Sequence, residues 1–397
     1  MASQSIVAEA REHLAAWRKL PFPLEIMPAK IWADLIAENH ENIIQTLSPE
    51  ALVERVTSDN ITTGPAFVDE PRFKGIISGQ LEWLKGFGRP LSSFPAYVQD
   101  SELASPRVIT TEDGRRVSAA FLYHLGTVAT LGAFVGKFET VLELGSGYGG
   151  MARLLKLVHP GVHITMCDLP ETLYLCYIYL RRHFPNCTFA AMTERGTVPT
   201  ADFVFVPAPL ASSLAGSAFD VAVNTCSLSE MTQSACDYYL RIIENDIKVD
   251  YFHHLNRIGS PEPLLANACA TSFGLDRHWD VLDFKWHDPG NYFNAYFPNY
   301  GYLLNLMLRR IPDKIRSPEL YAGMTSRARS LLGAASPGSD EWHAAMLDII
   351  RIERRSADIE AYLKVIRPLG WRETPYYESL LNGTKPTKQS APASRGL

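Results

Sequence analysis

The chain has 397 residues, enough for two or three compact domains at roughly 100–200 residues each. Apolar residues make up 46%, so a sizeable core can be buried, and 38 basic against 43 acidic residues leave a net charge of −5. That balance argues against the clustered basic footprint of a nucleic-acid binder. The six cysteines include no C-x-x-C pair and lie mostly in apolar runs, which reads as buried reduced thiols and no metal site.

Residues 1–115 read as a helical N-terminal region broken by prolines, with helices predicted at 5–19, 28–39, 48–56 and 73–86. The first twenty residues carry Glu, Arg and Lys, with no apolar core or cleavage site, so a cytoplasmic location is expected. Val117–Phe138 is the most apolar stretch. It is interrupted by His124, Gly126, Gly132 and Gly136, and predicts a buried helix and no membrane span.

From Thr140 the pattern changes. TVLELG is a short apolar run ending at glycines, and GGMARLLKLV follows with helical spacing. VHITMCD, ADFVFVP, FDVAVNT and VDYFHHLN are further strand candidates. They are separated by PETLYLCYIYLRRHF, a helix with Pro170 in its first turn, and by SEMTQSACDYYLRIIEN. Strand and helix alternate, which predicts an α/β fold with a parallel sheet covered on both faces. A helix near 262–273, strands at 279–286 and 302–311, a helical C-terminal extension over 313–382 and a disordered tail over 383–397 complete the prediction.

The central motif is Glu143-Leu-Gly145-Ser146-Gly147-Tyr-Gly149-Gly150. Glycines let a chain turn sharply from strand to helix and let a ligand approach the backbone. Gly145, Gly147 and Gly150 fit the dinucleotide pattern G-x-G-x-x-G, while Glu143, Gly145, Gly147 and Gly149 fit the E-x-G-x-G-x-G pattern of adenosylmethionine enzymes. An acid at 143 would repel a pyrophosphate but favour an ammonium or sulfonium. Asp168, about 20 residues on, is placed to accept hydrogen bonds from ribose hydroxyls; a helix cap, with Glu171 completing a capping box, is the alternative.

VLELGSGYGG, MCDLPETL and FDVAVNTCSLSEM resemble class I S-adenosylmethionine-dependent methyltransferases over roughly residues 115–310. The last piece, with YFHHLNR, more narrowly resembles the sugar O-methyltransferase group. The resemblance implies a Rossmann-like, seven-stranded sheet over 116–312 whose last two strands are antiparallel to each other. It implies S-adenosylmethionine contacts from Glu143, Gly145, Ser146, Gly147, Gly149, Asp168, Leu169 and Asn224, and a small-molecule hydroxyl, on a sugar or glycosylated natural product, as acceptor. No acid follows the third strand to hold the adenine amine, which leaves backbone or Thr193–Glu194 for that contact.

A hydroxyl needs a general base, and candidates should lie past the fourth and fifth strands. Glu230 is the first choice, and His254 is preferred to His253 because it shares a strand face with Asn256. Ser227, Asn256 and Trp286 are candidate acceptor contacts. The stretch His278, Asp280, Asp283, His287 and Asp288 follows no ligand spacing, so no metal is expected. The regions flanking the sheet are expected to cover the acceptor pocket or to form a homodimer contact. The alternatives are an NAD-dependent oxidoreductase using the same loop, and a catalytically silent, S-adenosylmethionine-binding scaffold.

Overall fold

A computed structural model describes residues 2–37, 70–86, 88–103, 107–257, 278–287, 303–353 and 355–369, with a few isolated positions between and beyond them. Eight strands form the main sheet: β1 (Thr140–Leu144), β2 (His163–Asp168), β3 (Phe189–Ala191), β4 (Phe203–Pro207), β5 (Ala218–Thr225), β6 (Lys248–Arg257), β7 (Trp279–His287) and β8 (Leu303–Arg310). Their order is β3-β4-β2-β1-β5-β6-β8-β7. The strands from β1 to β6 run parallel, and β8 runs antiparallel to both β6 and β7. The seven expected strands are present in an α/β sheet, with their last two antiparallel to each other. The addition is β3, three residues long and paired on one side only, too short to leave an alternating or apolar run.

TVLEL and FVFVP lack polar alternation because both faces of the sheet are covered. Val141 and Glu143 point to one face, Leu142 and Leu144 to the other. The first face is packed by α1 (Ala2–Trp17), α3 (Glu70–Gly86), α4 (Ala119–Phe134), α5 (Gly150–Val158) and α6 (Pro170–His183), after the short α2 (Lys30–Leu35). The second face is packed by α8 (Gln233–Arg241), α10 (Asp340–Glu353) and α11 (Ser356–Ile366), with α9 (Pro318–Ala334) against α10. Val7, Leu14, Trp17, Phe73 and Ile76 share one core with sheet residues, and Trp342, Ile350, Tyr362 and Leu363 share the other. The described helices of the flanking regions therefore pack on the two faces of the sheet.

At the carboxyl-terminal edge of such a sheet, βα loops present ligand sites. Trp17 Nε1 donates to Met192 O at 2.8 Å, and Arg18 Nε donates to Glu171 Oε1 at 2.9 Å. Ile26 is buried in the core of the opposite face, against α8. The segment from Arg18 to Glu25 thus crosses the edge beside β2 and β3.

The stretch Val117–Phe138 is α4, capped by Ser118, whose hydroxyl accepts from Phe121 N at 3.1 Å. Among the described residues, no helix is long and apolar enough to cross a membrane. SEMTQSACDYYLRIIEN is not one helix. A single turn, α7 (Ser227–Glu230), stops where Met231 turns extended; Thr232 then caps α8, and a π-turn follows over Ile242–Asp246. The predicted helix at 262–273, almost all of that at 48–56, and the tail from 383 lie outside the described residues.

Candidate functional site

The loop from β1 to α5 is shaped by three left-handed glycines, Gly145 (φ +73°), Gly147 (φ +54°) and Gly149 (φ +90°). Its amides are largely taken up by the protein. Gly145 N donates to Cys167 O at 2.9 Å, Gly149 N to Ser146 O at 3.0 Å, and Gly147 N to Asp168 Oδ2 at 2.9 Å. Ser146 Oγ lies 3.5 Å from the same oxygen, and Leu169 N donates to Asp168 Oδ1 at 2.6 Å. Asp168 therefore braces the loop. It does not cap α6, whose N-cap is Leu169 with no side-chain bond, and Glu171 pairs with Arg18 instead of closing a capping box.

Glu143 sits beneath this loop, 2% exposed, with Oε2 lacking any hydrogen-bond partner. Burial, then the charge of Asp168, holds its carboxyl well above the usual range. Burial also pushes Asp168 up to about 6, against the opposing pull of the loop amides. Two acids thus stand where a phosphate would need donors, and Asp168 Oδ1, which accepts from Leu169 N, keeps a second lone pair for a hydroxyl.

Asn224, Ser227 and Asn256 are brought together, but by one another. Asn224 Nδ2 donates to Leu144 O at 2.7 Å and to Ser227 Oγ; its Oδ1 accepts from Leu228 N at 3.2 Å and from Asn256 Nδ2 at 2.8 Å. Ser227 Oγ donates to Leu144 O at 3.1 Å, and Asn256 Oδ1 accepts from Ser229 N at 3.0 Å. This network ties the ends of β1, β5 and β6 to α7. It also sets Ser227 against the loop: a Cβ on Gly145 would lie 2.0 Å from Ser227 Oγ.

The remaining candidates are scattered. Glu230 is the last residue of the one-turn α7, and Thr232 caps the helix after it. His254 is fully buried beside Phe252, on the sheet face opposite Glu143, and burial lowers it to about 3. The backbone of Trp286 pairs with Leu304 on the far edge strand, four strand spacings from β1, or about 19 Å at ~4.8 Å each; its side chain lies outside the described residues. Thr193 and Glu194 are exposed and follow β3 at the carboxyl-terminal edge. Among the described residues, no three His, Cys, Asp or Glu side chains gather as a metal set, and Asp280 pairs with Arg309 (2.9 Å) and Arg327 (3.1 Å).

Two residues at the site escaped the sequence reading. Cys226, directly after β5, has φ +63°, a conformation that costs a non-glycine residue about 1–2 kcal/mol. It is held there by its N–H to Leu255 O at 2.7 Å. Its Sγ lies 2.8 Å from the hydroxyl of Tyr123 on α4. Nothing in a single sequence marks a left-handed cysteine. Strain of this kind gathers at functional sites.

No family model matches the chain, and no curated protein sequence does. Among solved structures it is similar to TehB from Haemophilus influenzae, with 14% identity and a TM-score of 0.34 over 47% of this chain and 62% of that one. It is similar to an O-methyltransferase family protein from Burkholderia thailandensis, with 14% identity and a TM-score of 0.32 over 49% and 60%. It is also similar to phosphoethanolamine N-methyltransferase 2 from Haemonchus contortus in complex with S-adenosyl-L-methionine, with 13% identity and a TM-score of 0.33 over 47% and 52%. The chain spans less than two thirds of the length of each of these three structures.

Proposed function

We propose that the protein is an S-adenosylmethionine-dependent O-methyltransferase whose acceptor is a small-molecule hydroxyl, on a sugar or glycosylated natural product. The carrying observation is the pairing of a buried, partly unpartnered Glu143 with Asp168 around a glycine loop in which the amides of Gly145, Gly147 and Gly149 are already engaged. A dinucleotide's pyrophosphate needs free amides and no adjacent acid. A ligand with an ammonium, a sulfonium and a ribose suits both carboxyls. Glu143 would hold the cationic methionine end, Asp168 and Leu169 the ribose, and the glycines would leave room for the backbone to approach. Thr193–Glu194 or the backbone after β4 would meet the adenine. The bound donor supplies an activated methyl group; the protein's part is to align the acceptor and manage its proton. Glu230 is retained as a candidate base. His254 is a weaker one, since it is buried away from the Glu143 face. The acceptor assignment rests on the FDVAVNTCSLSEM and YFHHLNR segments.

Calorimetric titration tests this. S-adenosylhomocysteine is expected to bind and NAD(H) to give no heat; saturation by NAD(H) with no heat from S-adenosylhomocysteine overturns the reading. Labelled S-adenosylmethionine is then expected to methylate members of a glycoside panel.

Two further outcomes follow from the acids. Ribose hydroxyls prefer the ionised form of Asp168, and in the ligand-free protein that group is pushed up to about 6. S-adenosylhomocysteine affinity should therefore rise by up to about tenfold per unit as pH climbs toward 6, with Asp168's contribution levelling off above it. For stability the sign is reversed. The folded state keeps a proton that the unfolded chain loses near ~4, so this group's contribution falls between about 4 and 6. Affinity that stays flat from pH 5 to 7 would remove Asp168 from the ribose contact. Glu143→Gln deletes a charge-assisted partner worth about 1.5–3 kcal/mol. It should weaken donor binding about 10- to 100-fold while leaving the melting temperature of the ligand-free protein unchanged or higher.

A further inference from the structure

β6 carries adjacent histidines, and strand alternation sends them to opposite faces. His254 goes with Phe252 to the face covered by the C-terminal helices. His253 goes to the face of Glu143. The registers define one row across five strands: Glu143 opposite Val223, Val223 opposite His253, His253 opposite Met307, and Met307 opposite Asp283. Glu143 and His253 are two strands apart, about 10 Å between backbones at ~4.8 Å per spacing.

The ring of His253 is held from one side. Its Nε2 lies 2.8 Å from Asn305 Oδ1, and Asn305 Nδ2 donates to Asp283 Oδ2 at 3.2 Å. The carboxylate fixes the amide, because only the NH2 side can donate to it. The amide oxygen then requires a hydrogen on Nε2, so the neutral ring carries its lone pair on Nδ1. His253 and Asn305 are both 0% exposed, yet Nδ1 has no partner. An orphaned buried polar atom costs about 1–3 kcal/mol. A relay kept only for packing would have been cheaper as leucine and valine. Glu143 Oε2, and Nδ1 of His124 on α4, are among the other buried atoms of this face without partners. The His124 ring lies 6.2 Å from that of Tyr148 in the glycine loop, and α4 also touches β6.

We propose that Nδ1 of His253 takes the proton of the acceptor hydroxyl, with Asn305 and Asp283 as the positioning residues that fix its tautomer and stabilise the imidazolium. This rests on the methyltransferase reading above. The acceptor's O–H bond breaks, an O–CH3 bond forms at the expense of the donor's S–CH3 bond, and the proton ends on Nδ1. An amide cannot pass it on, so it leaves from the same nitrogen after the product departs. The ring's hydrogen-bond partner is Asn305, which links it to Asp283; burial holds His253 down to about 4, against the opposing pull of Asn305, so it is in its base form at neutral pH.

The test has two arms. In ligand-free protein with 15N-labelled imidazoles, His253 is expected to be neutral at pH 7 with its proton on Nε2, and Asn305→Leu is expected to abolish that preference. A proton on Nδ1, or a charged ring, overturns the proposal. His253→Gln is then expected to lower single-turnover methyl transfer by about 10²- to 10⁴-fold, with S-adenosylhomocysteine affinity kept within about threefold. Transfer close to wild type with that affinity intact sinks the base assignment alone. Loss of S-adenosylhomocysteine binding by the wild-type protein sinks the underlying reading instead. Should His253→Gln fail to fold, the tautomer in wild type and in Asn305→Leu still decides.

Discussion

Gly145→Ala is expected to lower stability by about 2–5 kcal/mol and to abolish measurable donor binding. Two costs add. At φ +73° a Cβ carries the left-handed penalty of about 1–2 kcal/mol. The same Cβ would lie 2.0 Å from Ser227 Oγ and 2.3 Å from Ser227 Cβ, well inside contact, and relieving such overpacking costs about 1–3 kcal/mol. Ser227 cannot swing away cheaply, because it is bonded to Asn224 and to Leu144 O. Thermal unfolding should therefore show a drop on the order of 10 °C. Adding Ser227→Gly to Gly145→Ala removes the clash but not the backbone penalty, so it should recover only part of the loss. Gly75→Ala is the control. It sits in α3 with nothing within 4 Å of an added Cβ, and should raise stability by about 0.5–1 kcal/mol. A Gly145→Ala protein as stable as wild type would mean that the loop does not take this shape.

What the sequence made legible follows from how local each signal is. β1, its glycine loop and Asp168 were readable because an apolar strand, a sharp turn and an acid about 20 residues on all lie within one βαβ unit. β3 was not readable, because three residues with one neighbour carry no pattern. The choice between His253 and His254 could not be made from strand alternation alone. Alternation says that the two part, and sharing a face with Asn256 favoured His254. The structure shows that Asn256's face is filled by the turn of α7, while Glu143 lies on the other. That pairing is set by register across β1, β5 and β6, which are more than a hundred residues apart at their ends. Asn305 interrupts LLNLMLRR, and a polar residue in the middle of an apolar strand asks for a partner. The crossing of residues 18–25 over the sheet edge likewise depends on where α1 docks, not on the segment's own composition.

Asn224 separates two roles that its position at the end of β5 leaves entangled. By resemblance it would touch the methyl-bearing end of the cofactor; in the structure its amide is fully engaged between β1, β6 and α7. Asn224→Leu keeps the volume close and removes every bond. Leu144 O retains the hydrogen from Ser227 Oγ, but Leu228 N and Asn256 Nδ2 lose their acceptor within a buried site. Two orphaned donors at about 1–3 kcal/mol each give an expected loss of about 2–6 kcal/mol. Against a typical total of about 5–15 kcal/mol, that is enough to leave the variant partly unfolded at 37 °C. Chemical denaturation of the ligand-free protein reads this directly. Asn256→Leu breaks the same network from the other side, so the double variant should cost at least 1 kcal/mol less than the sum of the two. A variant at position 224 that unfolds like wild type yet binds S-adenosylhomocysteine a hundredfold more weakly would assign Asn224 to the ligand. Strong destabilisation without ligand, with strict coupling to Asn256, assigns it to the clamp that holds Ser227 against Gly145, through which it shapes the loop it never has to touch the cofactor to control.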